Sequence, residues 1–166
     1  MSLVIGIDPG LSGAVAFIPR QGQAWVEDMP VMAYSATGFV KRVIDPHGLS
    51  RILRAHVSSM DIDPVHPVVF IERVNAFPGQ GVASMFSLGM SYWGAFSVAA
   101  TLAYETRLVE PKDWKRHFRL AKDKDLARGL ASRLFPYIDL SRVKDHGRAE
   151  ALLIAAYGRH RLKEGA

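Results

Sequence analysis

Apolar positions fall along this chain in two kinds of run: short blocks closed by an acid, and longer stretches with helical spacing. Val4-Ile5-Gly6-Ile7 has almost no polarity, and Asp8-Pro9-Gly10 ends it abruptly, which predicts a strand buried on both faces with Asp8 at its mouth. Val68-Val69-Phe70-Ile71 repeats the pattern, and Glu72 closes it. Gly13 to Ile18 and Ala24 to Met29 are further apolar runs separated by Pro19 to Gln23, so the first three strands are expected to form an antiparallel meander. Leu49, Ile52, Leu53 and Val57 recur at helical spacing within His47 to Met60, with Arg51 and Arg54 turned outward. A helix there returns the chain so that the strand ending at Glu72 runs parallel to the first. A long helix from about Val82 to Ala103, a fifth strand over Thr106 to Val109, a helix over Asp123 to Leu134 and a last helix from near Asp145 through Tyr157 complete the pattern. Met29 to Asp45 shows no clear period. The expected class is α/β: a five-stranded mixed sheet, antiparallel then parallel, with helices on both faces, as a single domain over residues 1–166.

If the first and fourth strands are parallel neighbours in matched register, roughly 4.8 Å apart, Asp8 and Glu72 become neighbours too. Two like charges that close in a partly dry site repel, so one takes up a proton or both share a cation. Taken alone, an acid before Pro-Gly is equally well a turn-forming Asx residue. Glu150 is the sole acid within the apolar run Ala149 to Tyr157; it lies on the polar stripe of an amphipathic helix or, if buried, needs a partner. Asp145, five residues earlier, is about 140° away around a regular helix and reaches the same cluster only from the loop or N-cap before it, a late start that Gly147 allows. His146 precedes Glu150 by one turn, shares its face, and competes with Asp145 as third ligand or proton carrier. Acids gathered at one point suit hard divalent cations, Mg2+ or Mn2+, and two such ions roughly 3.5–4 Å apart clamp the attacking and leaving oxygens of a phosphodiester.

Charge adds a direction. Lys and Arg number 21 against 16 Asp and Glu, a net +5, which favours an anionic partner. The absence of cysteine excludes disulfides and thiolate metal sites. The chain meets Asp8 before an apolar leader core can form, so no secretory signal is expected. Val74 to Tyr104 carries no charge and is long enough for a bilayer, but Asn75, Pro78, Gly79, Gln80 and Gly81, with Ser and Gly beyond, predict a helix packed through the fold or into a subunit interface rather than a membrane span. From Lys112 to Lys124, basic residues interleave with aromatics; Lys112, Lys115, Arg116, Lys122 and Lys124, with Arg142, Lys144 and Arg148 near the last acids, are candidates for phosphate contacts, each alone being equally a solvated surface charge. In and after the Gly-rich loop that follows Glu72, Phe77, Gln80 and Phe86 are candidates for contact with DNA, the two aromatics by stacking on bases or wedging between them if they are not core.

The Gly6-Ile7-Asp8-Pro9-Gly10 opening, the Ile71-Glu72 pair and the helix Ala149-Glu150-Ala151-Leu152-Leu153-Ile154-Ala155, in this order over nearly the whole chain, resemble the motifs of the RuvC-type Holliday junction resolvases, which have the RNase H-like fold. The resemblance implies a homodimer that binds branched DNA, the four-way junction, and cuts two strands symmetrically, with Asp8, Glu72, Asp145 and Glu150 holding two Mg2+ ions, or Mn2+ in their place. The chain departs from the bacterial enzymes in carrying Gly147 where they have an acid or His, and Glu150 where they end in Asp. An Asp five residues before a Glu is more similar to the plant chloroplast and phage members, which favours Asp145 over His146 as ligand. The implied setting is bacterial or phage-infected cytoplasm, or an organelle. Gly6 to Gly10 also resembles the first phosphate loop of the actin and sugar-kinase ATPases, but 166 residues leave no room for a second half or a nucleotide pocket, so no nucleotide cofactor is expected. A non-catalytic junction-binding module, and a nuclease acting on other branched DNA or RNA:DNA hybrids, are the remaining alternatives.

Overall fold

The computed structural model describes residues 3–34, 40, 42–58, 66–75, 78–120 and 124–165. A central sheet is built from β1 (Val4–Asp8), β2 (Ala14–Ile18) and β3 (Trp25–Asp28), which form the expected meander. Residues 29–45, where no period is visible in the sequence, contain a separate two-stranded ribbon of β4 (Val31–Ala33) and β5 (Arg42–Ile44). Helix α1 (Pro46–Ser58) then carries the chain back to β6 (Val68–Glu72), which pairs with β1 in parallel. The expected end of that helix at residues 59–60 lies outside the described residues. Helix α2 (Val82–Thr101) and β7 (Glu105–Val109) follow, giving the sheet order β3-β2-β1-β6-β7.

After β7 come α3 (Pro111–His117), α4 (Lys124–Leu134), a single 3-10 turn over Val143–Asp145, and α5 (His146–Glu164). Helix α3 is an addition to the pattern read from the sequence. Pro111, two residues after the end of β7, stands at the start of this helix, where a missing N–H costs nothing and the fixed φ favours the turn.

The register of β1 and β6 matches as the repeated motif predicts: Val4 faces Val68 and Ile7 faces Ile71, so Asp8 and Glu72 stand one step further along neighbouring strands. The sheet separates two apolar layers. On one face Ile5, Ile7, Val69 and Ile71 pack with α1 and α2 residues; on the other Val4, Ala14, Ala16, Val68 and Phe70 pack with Leu152, Ile154 and Ala155 of α5. Residues alternate faces along a strand, so Asp8 and Glu72, two places after Gly6 and Phe70, belong to the α5 side.

That α5 layer is unusually close. A Cβ on Gly6 would stand 2.3 Å from the Ala151 carbonyl oxygen, and one on Gly147 would stand 2.2 Å from the Ser12 carbonyl oxygen. Only glycine permits the helix backbone to rest on β1 and on the turn after it, and Glu150 lies between the two contact points.

Candidate active site

Three of the four acids singled out in the sequence come to one end of the sheet on its α5 side. Asp8 leaves β1 half-buried, with its Oδ1 accepting the Gly10 N–H at 3.1 Å, so its Asx-turn and site readings are compatible. Glu72 leaves β6 beside it. Glu150 projects from the second turn of α5 with 15% of its side chain exposed. Glu72 and Glu150 are close enough to repel: burial first, and the charge of Glu150 in addition, push the Glu72 carboxyl above its ordinary range. The like-charge conflict anticipated between strand ends is therefore present between Glu72 and Glu150.

Two residues of α3 temper it. Trp114, fully buried, donates from its indole Nε1 to Glu72 Oε1 at 2.9 Å. The adjacent Lys115 places its Nζ 3.4 Å from Glu150 Oε1 and 4.9 Å from the centre of the Trp114 ring, and its charge also acts on Glu72. An ammonium thus stands at the mouth of the carboxylates. Sequence reasoning placed Lys115 among phosphate contacts and gave Trp114 no role; Pro111 at a helix start, with an aromatic three residues on, was the available signal.

Asp145 is placed differently from Glu150. It is 1% exposed, and both its oxygens are engaged by Arg142: Oδ1 accepts from Nη2 at 2.7 Å and Oδ2 from the backbone N–H at 2.9 Å. The Arg142 guanidinium holds the Asp145 carboxyl below its ordinary range. This reciprocal cap closes the 3-10 turn that leads into α5. His146 begins the helix one turn before Glu150, and its Nδ1 is buried without a hydrogen-bond partner among the described residues.

With these side-chain positions, no three acids or histidines among the described residues are close enough to share one ion. The donor chemistry nevertheless fits a hard divalent cation: carboxylate oxygens converge, one carboxyl is held above its usual range by burial and like charge, and Lys115 supplies counter-charge to both Glu72 and Glu150.

The solved structure of Thermus thermophilus RuvC in complex with a Holliday junction substrate superposes on 100% of this chain and 98% of its own, with a TM-score of 0.59 and 16% identity. Thermus thermophilus RuvC in another structure matches 98% of this chain and 96% of its own, with a TM-score of 0.58 and 17% identity.

The chain has the RuvC fold.

Within that RNase H-like architecture, the chloroplastic Holliday junction resolvase MOC1 of Chlamydomonas reinhardtii is similar in sequence, 29% identical over 158 residues. The match takes in 84% of this chain, which spans only 18% of the length of MOC1. No family model matches the chain.

The residues expected to meet DNA are spread around the RuvC fold. Lys112 is exposed on α3, and Arg116 beside it pairs with Asp113 at 3.0 Å. Arg148 pairs with Asp28 at the end of β3, at 2.5 Å. Gln80 lines an open groove of about 600 Å3 with Leu11, Arg42, Ser84 and Ser87, reaching from the turn after Asp8 to the start of α2. Phe86 is 60% exposed on α2, and not core. Phe77, Lys122 and the side chain of Lys124 lie outside the described residues. No described helix is long and apolar enough to cross a membrane.

Proposed function

We propose that this chain is a metal-dependent endonuclease that resolves four-way DNA junctions by paired symmetric incisions. The observation that carries the reading is the convergence of Glu72 and Glu150, with Asp8 on the neighbouring strand, at one end of a RuvC-fold sheet. The resolvase likeness of MOC1 and the junction in the RuvC complex support the choice of substrate.

Asp8, Glu72 and Glu150 would hold Mg2+ or Mn2+, and the opening of α5 would supply a fourth donor. His146, whose Nδ1 has no hydrogen-bond partner among the described residues, is the readier candidate; Asp145 would have to give up Arg142 to serve. A pair of such ions, when bound, supplies the activated water and the charge that stabilises the 3′ leaving oxygen. The protein's own part is placement. The strand ends fix Asp8 and Glu72, the close seat of α5 fixes Glu150, and Lys115 offsets the charge of the carboxylates and would stand beside a bound cation as a candidate phosphate contact. Lys112 and Arg116 on the same helix extend that basic edge, and the groove at Gln80 offers a path for a strand past Asp8.

Symmetric cutting needs two sites related by the junction's own symmetry. Helix α2 offers the contact: Val82, Phe86 and Trp93 are exposed on it, with Trp93 stacked on Phe96. We therefore read the active form as a homodimer joined through α2.

The test is an Asp8→Asn variant assayed with Mg2+ against a four-way junction, a flap, an RNA:DNA hybrid and a linear duplex. The wild type is expected to cut the junction at paired positions, while Asp8→Asn binds it as well or better and leaves it intact. Cleavage by Asp8→Asn at the wild-type rate would dispose of the mechanism, and faster cutting of the hybrid would dispose of the substrate.

A further inference from the structure

Glu72 is held from a direction that neither strand nor α5 provides. The Trp114 indole is a donor with no acceptor capacity, it is fully buried, and its single N–H goes to Glu72 Oε1 at 2.9 Å. Its ring belongs to the buried apolar layer that also holds Ala127, Ala131, Leu152 and Leu153, so it has little freedom to turn. The helix that carries it is pinned as well. Pro111 opens α3, and Glu110 just before it reaches back to the segment following Glu72, accepting from Arg73 Nη1 at 2.9 Å and from Asn75 Nδ2 at 3.4 Å. The Arg73 N–H donates to the Val109 carbonyl at 2.8 Å. The residues directly after Glu72 are thus tied to the β7–α3 junction, on the same side as Trp114.

We propose that Trp114 is a positioning residue for the cation site: it fixes one oxygen of Glu72 so that the other is presented to the metal in a single orientation. The inference rests on Glu72 being a ligand, as proposed above. An indole suits the task better than a second lysine or an arginine, because it orients the carboxylate without adding a full positive charge that would oppose the incoming ion. It also removes the rotamer freedom that an unsupported Glu would lose on binding. A tryptophan serving only to fill the core would need no particular acceptor at that point, and any buried carbonyl would satisfy its N–H.

The decisive experiment is Mn2+ binding to the DNA-free protein, followed by calorimetry, for wild type, Trp114→Phe, Glu72→Gln and the double variant. Phenylalanine keeps the aromatic packing and removes the donor. Trp114→Phe is expected to weaken Mn2+ binding about 10- to 100-fold, the range seen when partners of metal ligands are lost. Its junction cleavage should recover as Mn2+ is raised. In the Glu72→Gln background the same change should have no further effect, because the tryptophan acts through that carboxylate. Equal Mn2+ affinity in wild type and Trp114→Phe, or an undiminished effect in the Glu72→Gln background, overturns the inference alone. A wild type that binds no Mn2+ overturns the site reading and the inference with it. Should Trp114→Phe not fold, the wild-type indole signals decide: the chain has three tryptophans, and one N–H resonance should shift with Mg2+ and move in Glu72→Gln. If none responds to either, the inference is wrong.

Discussion

Substituting Gly6 by Ala tests whether the seat of α5 on β1 is what assembles the site. The added Cβ would lie 2.3 Å from the Ala151 carbonyl oxygen and 2.4 Å from the Ala155 nitrogen, both backbone atoms that no rotamer change can move. Ordinary contact begins near 3.4 Å, so helix and strand must part by about 1.1 Å, the difference between 3.4 and 2.3 Å. Overpacking of that kind costs about 1–3 kcal/mol. Glu150 precedes Ala151 and must move with it, and a misplacement of about 1 Å is enough to lower a rate on the order of 10²-fold. Urea unfolding and single-turnover junction cleavage read the two effects separately. Gly129→Ala on α4, where an added Cβ meets nothing within 4 Å, is the control; it should stabilise by up to about 1 kcal/mol through helix propensity and leave cleavage alone. A Gly6→Ala protein with the wild-type midpoint and the wild-type rate would refute the argument that this contact positions Glu150.

Glu72 carries a stability cost with a definite pH signature. Its carboxyl is held above the ordinary 4.5 mainly by burial, so above that pH the folded state keeps a proton the unfolded chain has shed, and stability falls as pH rises through the folded value. Metal-free Glu72→Gln should therefore unfold at higher urea than wild type at neutral pH, with the gap closing toward pH 4.5; a gap of constant size would contradict the assignment. Asp145 has the opposite sign. Arg142 holds it below its ordinary 3.8, so its contribution is present above that pH and is lost as pH falls through the folded value. Asp145→Ala should lower Tm at neutral pH by uncapping the entry to α5, and the difference from wild type should shrink in acid; an unchanged Tm would remove the capping role. Trp93→Arg should convert the protein to a monomer in sedimentation velocity while leaving its far-UV spectrum intact, and a persistent dimer would place the interface elsewhere.

The sequence by itself determined the sheet. Two apolar quartets, each closed by an acid, read as buried strands, and once these lie side by side in parallel, equal length and equal placement of the acid match their register. It also placed Asp8 and Glu72 at one end of the sheet, because an acid that closes a buried strand sits at the rim by construction. Tertiary structure decided which of the other charges belong there. Asp145 and Glu150 have the same composition of clues, yet a 3-10 turn and Arg142 draw one into a cap while Gly147 and Gly6 seat the other against the sheet. Trp114 and Lys115 were legible as part of a basic, aromatic segment, but their bonds to Glu72 and Glu150 span 42 and 35 residues, and no local spacing encodes a contact that depends on how β7 delivers α3 to the face of α5. Local pattern fixes strands and helix faces because backbone geometry repeats every two or 3.6 residues; partners across the site are chosen by packing, which has no period.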